Sequence, residues 1–240
     1  MRDPKLGFVN EETPAPAGGD SPLARWYGKL RGIVLRSREP ASRSFRYMSR
    51  LIELEFPVSD KGICLAFTSS GSDQMTTDAL LMLAYCLRNE LDSRVLLVDA
   101  RLRDPAMGLT GRLGLLEARG FAEIVREGYA GNESLILATA VAGVDVLPAG
   151  DPRGSGSVPV HRDNLSELLD STLARYGHVL VGVGSVLADT RAVVTVAAAD
   201  AVFLLAEENH TFLKSLDDCR QKLRDSGVED VRVVVSGRKP

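Results

Sequence analysis

Two short turns hold most of the side chains that could do chemistry in this 240-residue chain. The first is Phe67-Thr-Ser-Ser-Gly-Ser-Asp-Gln-Met-Thr-Thr77, a small, polar, glycine-containing stretch between an apolar run and a helical one. A turn of that composition between strand and helix is where backbone N–H groups can cradle a phosphate. A P-loop also needs a second glycine and a lysine directly before its Ser/Thr. Gln74-Met75 stands in that place, and no lysine lies nearby. By motif alone it is a turn. The second stretch is Val95-Leu-Leu-Val-Asp99-Ala-Arg101-Leu-Arg103-Asp-Pro105, an apolar run that ends on an acid. Asp99 reads either as a metal ligand or as an N-cap for the turn that follows. Thr76 and Thr77 read as helix-start residues, with an Mg²⁺ role as the alternative.

The rest offers little chemistry. No Ser-His-Asp arrangement or metal-ligand spacing emerges, and no catalytic or metal-ligating residue is expected. His161 and His210 read as loop and helix-start residues, and His178 as a strand residue near the mouth of the site. Cys64, Cys86 and Cys219 are odd in number, widely spaced and in apolar contexts, which fits small core hydrophobes in a reducing compartment. Arg101, Arg103 and Arg112 form either a solvated face or a contact surface for a partner or acidic ligand.

Positioning these turns requires a particular scaffold. Apolar strand-like runs at 62–67, 94–99, 144–147, 178–182, 201–205 and 231–235 alternate with helical stretches at about 74–90, 163–175, 190–198 and 210–226. Continuous apolar strands separated by helices are buried on both faces, which means βαβ units. The expected fold is α/β, a doubly wound, mostly parallel sheet with ligands at the carboxyl ends of its strands. Upstream, Phe45, Met48, Leu51, Ile52 and Leu54 recur at the helical period and predict a helix over 41–56. Residues 1–39 read as a Pro/Gly-rich disordered tail and linker, and 40–240 as the domain. The Gly154-Ser-Gly156-Ser run reads as a flexible loop.

Composition excludes several classes. With 45% hydrophobic and 25% charged residues, wholesale disorder is ruled out. Twenty-nine basic against 32 acidic residues give no electrostatic footprint for nucleic acid. The longest apolar stretch, Ala192 to Ala206, is too short for a bilayer, so no membrane span is expected, and no signal peptide opens the chain. The basic residues are skewed: 23 are Arg, and between residues 31 and 213 the single lysine is Lys61.

At Asp99 the chain resembles a known family. Leu96-Leu-Val-Asp-Ala-x-Leu-Arg-x-Pro105 looks like the Walker A′ motif of the bacterial tyrosine kinases, the cytoplasmic ATPase domains of polysaccharide co-polymerase systems. Thr68-Ser-Ser-Gly71 and Thr76-Thr77 bracket the position of that family's P-loop. Val144-Asp-Val-Leu-Pro-Ala-Gly150, Tyr176-Gly-His-Val-Leu-Val181 and Asp200-Ala-Val-Phe-Leu-Leu205 are similar to later segments in order and spacing. Ser44-Phe45-Arg46 and Leu51 sit where the kinases carry an oligomerisation helix. The implied fold is P-loop NTPase-like, with the deviant Walker A shared by the Min/Par ATPases.

The departures are systematic. The loop is about two residues short and lacks its lysine; Arg101 replaces the second acid of Walker A′; Gly182 replaces the Walker B acid. Arg43 and Arg191 also stand where the family carries acids, and no tyrosine cluster closes the chain. Phosphoryl transfer needs cationic stabilisation of the phosphates and acids that hold Mg²⁺. The resemblance therefore implies a pseudokinase or pseudo-ATPase. Its vestigial nucleotide site would comprise Ser70, Gly71, Thr76, Thr77, Asp99 and Arg101, with no cofactor expected and ATP or ADP with Mg²⁺ as the alternative. It would serve exopolysaccharide or capsule assembly as a cytoplasmic homo-oligomer, peripheral to the inner membrane, docked on a membrane polysaccharide co-polymerase. Helix 41–56 would be the self-association or docking surface. Two alternatives stand beside this reading: an active non-standard kinase or ATPase using Arg101, and a Min/Par-like localisation platform.

Overall fold

The computed structural model describes residues 40–58, 60–70, 73–151 and 160–236. The tail at 1–39 and the glycine-serine run at 154–157 lie outside the described residues, as does Gly71. Seven strands form one sheet in the order β3-β4-β2-β5-β1-β6-β7. They are β1 (Ile63–Ser69), β2 (Val95–Asp99), β3 (Leu137–Ala138), β4 (Val144–Leu147), β5 (His178–Gly182), β6 (Ala201–Glu207) and β7 (Val231–Ser236). All neighbours pair in parallel except β3, which runs antiparallel to β4. The α-helices are α1 (Pro40–Glu55), α2 (Asp73–Leu91), α3 (Leu109–Leu113), α4 (Phe121–Glu127), α5 (Arg162–Leu173), α6 (Thr190–Val196) and α7 (Leu213–Asp225).

The strands are apolar throughout because helices cover both faces. On one face α1 and α2, with Ile52, Leu80, Leu83 and Leu87, pack on Leu65, Phe67, Leu97, Leu180 and Phe203. Phe67 and Phe203 stack with ring centroids 4.9 Å apart. On the other face Ile124, Leu168, Val196 and Leu223 pack on Ala66, Leu96, Val98, Val181 and Leu204. The three cysteines are all buried, Cys64 and Cys219 among the side chains of the second face.

Chain order places a switch point beside β5. From β1 the chain crosses over β5 to β2, and later returns to the other side of β1 for β6 and β7. The parallel register sets Phe67 of β1 and Asp99 of β2 opposite the same residue, Gly182 of β5. β2 and β5 therefore end level while β1 runs on to Ser69, and the turns leaving them share one crevice, the place where open α/β sheets take their ligands.

The expected strands and longer helices are present. The segment between β2 and β4 holds α3, α4 and β3, which no periodicity announced, since they span five, seven and two residues. The last helix starts at Leu213 rather than near 210, because 208–211 form a turn in which Thr211 donates its N–H to Glu207 O.

Candidate functional site

At the end of β1, Thr68 donates its hydroxyl to Gly184 O at 2.9 Å and ties the strand to the turn after β5. Beyond it several side-chain hydroxyls go unpaired. Ser69 Oγ, Ser70 Oγ and Thr76 Oγ1 are buried and have no hydrogen-bond partner among the described residues. Buried hydroxyls without partners are uncommon, because desolvating one without compensation costs about 1–3 kcal/mol. Thr76 and Thr77 lie near the start of the 19-residue α2, both buried. Unsatisfied N–H groups and the positive end of the helix dipole meet there.

The end of β2 is bonded throughout. Asp99 is 2% exposed, and its Oδ2 accepts from Thr110 N at 2.7 Å while Oδ1 accepts from Arg101 N at 3.2 Å. Thr110 Oγ1 in turn accepts from Ala149 N at 2.7 Å. Asp99 therefore caps α3 from eleven residues upstream, and Thr110 passes the connection on to the end of β4. Burial pushes the Asp99 carboxyl above its ordinary value, and hydrogen bonds from Thr110 and Arg101 pull it back in part. Gly108 closes over the group: a Cβ there would lie 2.6 Å from Asp99 Oδ2.

The Leu147-Pro-Ala-Gly150 strand end serves the same scaffold. Pro148 O and Ala149 O accept from Phe121 N and Ala122 N at 2.7 and 2.8 Å, which satisfies the first turn of α4. Glu123 closes that turn by accepting from Gly120 N at 2.6 Å, the return arm of a capping box. Gly150 has φ +83°, and a Cβ on it would meet Glu123 Oε2 at 2.2 Å. Glycine is required there on both counts.

At the end of β5, a Cβ on Gly182 would meet Leu80 Cδ1 of α2 at 2.5 Å. The end of the Leu80 side chain occupies the space that a side chain at 182 would enter. Beside it, Arg101 is 4% exposed and helps to line a cavity of about 210 Å³ with Arg103, Asp104, Ser185 and Asp189. The three arginines read together from sequence separate here. Arg101 is buried, Arg103 donates to Ala188 O at 2.8 Å, and Arg112 pairs with Asp78 on the surface at 3.1 Å. Arg191 folds back on Asp189, its Nη2 2.8 Å from Oδ2. Burial raises the Asp189 carboxyl, but hydrogen bonds from Arg191 and the charge of Arg103 outweigh it and hold the group below its ordinary value.

The sequence matches no protein-family model and no curated protein. Solved structures do resemble it. The kinase domain of the Escherichia coli tyrosine kinase ETK superposes with a TM-score of 0.69 at 22% identity, covering 82% of this chain and 75% of that one. The BceF tyrosine kinase domain gives 0.68 at 23%, covering 85% and 80%. The fold is that of the bacterial tyrosine-kinase domains. A more distant likeness, to the septum site-determining protein MinD of Pyrococcus horikoshii complexed with Mg-ADP, gives 0.52 at 20% over 71% and 68%. At these identities the likeness is one of fold.

On this tyrosine-kinase fold the residues singled out from sequence fall into two groups. Ser70, Thr76 and Thr77 sit at the β1–α2 turn; Asp99 and Arg101 sit at the end of β2, across Gly182. The hydroxyls of Ser70 and Thr76, unpartnered among the described residues, fit a phosphate group. Asp99 does not fit Mg²⁺: a hydrated ion keeps several waters about 2.1 Å from the metal, and both carboxylate oxygens already serve backbone donors under Gly108. His178 is a correction. It opens β5 rather than closing it, so it lies at the amino end of the sheet, four residues of extended strand from Gly182. Thr110 and Leu80 were missed: a threonine inside a glycine-flanked stretch carried a faint signal, and Leu80 none.

Proposed function

We propose that this chain is a catalytically degenerate relative of the bacterial tyrosine kinases, a pseudokinase that works by docking and self-association. The observation that carries the reading is the state of Asp99. The acid that the family likeness would place on a metal is spent on holding α3 and β2 together. The absent P-loop lysine and the glycine at 182, under Leu80, point the same way. Removing one contact to a transferring phosphoryl group typically slows reaction about 10²–10³-fold; the absent lysine is such a contact, and the acid replaced by Gly182 would be a metal ligand. In this reading the unit at 40–240, with 1–39 as its tail, is a cytoplasmic homo-oligomer serving exopolysaccharide or capsule assembly. It docks on a membrane polysaccharide co-polymerase, and no helix among the described residues is long and apolar enough to cross a membrane.

The proposed contact surface is the outer stripe of α1. Arg46 faces inward to Glu90 at 3.5 Å and Ile52 is buried, whereas Tyr47, Leu51 and Leu54 are exposed at 67%, 36% and 77%. These three recur four and three residues apart and form one helical stripe. A single charge there, Leu54→Glu, is expected to lower the oligomer mass in light scattering without changing Tm.

A second reading keeps the nucleotide as a structural ligand. It is favoured by the hydroxyls of Ser69, Ser70 and Thr76, which await partners where phosphate would lie. ATP would then bind without turnover, and residues at this turn would orient the phosphates. The deciding experiment is hydrolysis of labelled ATP and phosphotyrosine formation by the purified chain with Mg²⁺. No turnover above background is expected, and a rate abolished by Arg101→Ala would establish an active enzyme instead.

A further inference from the structure

The amino ends of β2 and β5, on the opposite edge of the sheet from Asp99, border a cavity of about 430 Å³. Cavities of about 300–1,000 Å³ are the size that hold small organic ligands. Its floor is His178, 1% exposed, whose Nδ1 lies 2.7 Å from Ser93 Oγ. The same hydroxyl donates to Arg94 O at 3.4 Å, and the second ring nitrogen of His178 is Nε2. That nitrogen is buried and has no partner among the described residues. Gly177 keeps the floor open, since a Cβ there would come within 2.5 Å of Ser93 Oγ and 3.7 Å of Val58 Cγ1.

The walls supply positive charge. Arg94 and Arg175 both line the cavity, with their guanidinium carbons 5.1 and 5.8 Å from the centroid of the Tyr176 ring. Ring contacts of this kind hold a cation in place without neutralising it. Among the described residues Arg94 pairs with Asp145 at 3.7 Å, a carboxylate that also accepts from the Tyr176 hydroxyl at 2.8 Å. Arg175 has no carboxylate at ion-pair distance among the described residues. Among the described lining residues the one acid, Glu53 near the end of α1, is paired with Arg50 at 2.9 Å. Val58 and Leu91 provide apolar cover.

We infer that this cavity binds a small organic oxyanion, a phosphate ester or carboxylate on a ring-sized body. Arg94 and Arg175 take the charged end, and Val58 and Leu91 cover the body. Arginine suits the task because its planar fork meets carboxylate and phosphate with two parallel hydrogen bonds. The site touches α1, the end of α2 and β5, and is separate from the turns at the strand carboxyl ends.

The test is a titration of the full ¹⁵N-labelled chain with phenyl phosphate, with benzoate, and with benzamidine as the cationic control. Saturable shifts at the Ser93, Arg94, Gly177 and His178 amides are expected from at least one anion, and none from benzamidine. A response to phenyl phosphate alone identifies a phosphate ester as the ligand, and to benzoate alone a carboxylate. Arg175→Ala, an exposed position, is expected to weaken binding at least tenfold with Tm unchanged. No saturable shift at these four amides, shifts confined to Ser70 and Thr76, equal binding of benzamidine, or an affinity in Arg175→Ala within twofold of wild type would each overturn the inference.

Discussion

The ends of β1 and β2 face each other across Gly182, and their polar side chains stand in opposite states. At β1, buried hydroxyls stand without partners. At β2, the acid is saturated with backbone donors and enclosed by glycine. A side chain whose only work is at a ligand can drift once the ligand's chemistry is gone. One that also holds the chain together cannot, because an unpaired buried donor costs about 1–3 kcal/mol. Asp99 is retained, in this account, for its second occupation.

The sharpest way to break that contrast is Asp99→Ala. It leaves the N–H groups of Thr110 and Arg101 buried without an acceptor and removes the carboxylate beside the buried Arg101. A loss of about 3–5 kcal/mol is expected, read as a fall in Tm of roughly 10 °C for a domain of this size. If Tm is unchanged, the carboxylate has no structural role.

Acid titration probes the far edge of the sheet. Burial, opposed in part by the nearby Glu53 charge, pushes the His178 imidazole down to about 4 from an ordinary value of 6.5. The folded state binds this proton less readily than the unfolded one. The stability His178 contributes is therefore full above pH 6.5 and is lost as pH falls toward 4, by roughly 3 kcal/mol in all. Asp99, with its value raised, acts with the opposite sign over the acid range, so the slope must be isolated by difference. Urea unfolding of His178→Gln is expected to lack the loss of stability between pH 6.5 and 4.

Smaller effects separate the two turns further. Thr110→Val removes the acceptor for Ala149 N and is expected to cost about 1–3 kcal/mol in urea unfolding, with α4 loosened in hydrogen exchange. Ser69→Ala deletes a buried hydroxyl that has no partner, so its effect is expected within about 0.5 kcal/mol of zero or slightly stabilising. A destabilisation as large as that of Thr110→Val would remove the distinction between the ends of β1 and β2.

The sheet was legible because its strands are continuous apolar runs, which follows from burial on both faces. The segment from 100 to 143 was not. Its α3 and α4 are too short to show a period, and they are set by glycines: Gly114 and Gly128 close them at φ +71° and +91°. The turn residues Ser70, Thr76 and Thr77 stood out by composition, yet that the Ser70 and Thr76 hydroxyls lack partners among the described residues depends on neighbours that only the fold brings near. Asp99 was located, and its cap role was weighed, but its partner Thr110 lies eleven residues downstream, beyond the reach of a local pattern. Gly182 read as a missing acid; that Leu80 fills the space comes from packing between elements a hundred residues apart.

The most direct measurement is the unfolding free energy of Asp99→Asn at pH 7, taken beside its ATP turnover. Asparagine keeps the shape but can turn only one acceptor toward two N–H donors. The account predicts a loss of about 2 kcal/mol with turnover at background in both proteins. Unchanged stability together with a wild-type hydrolysis rate that the substitution abolishes would show that Asp99 serves a reaction, and would contradict the account.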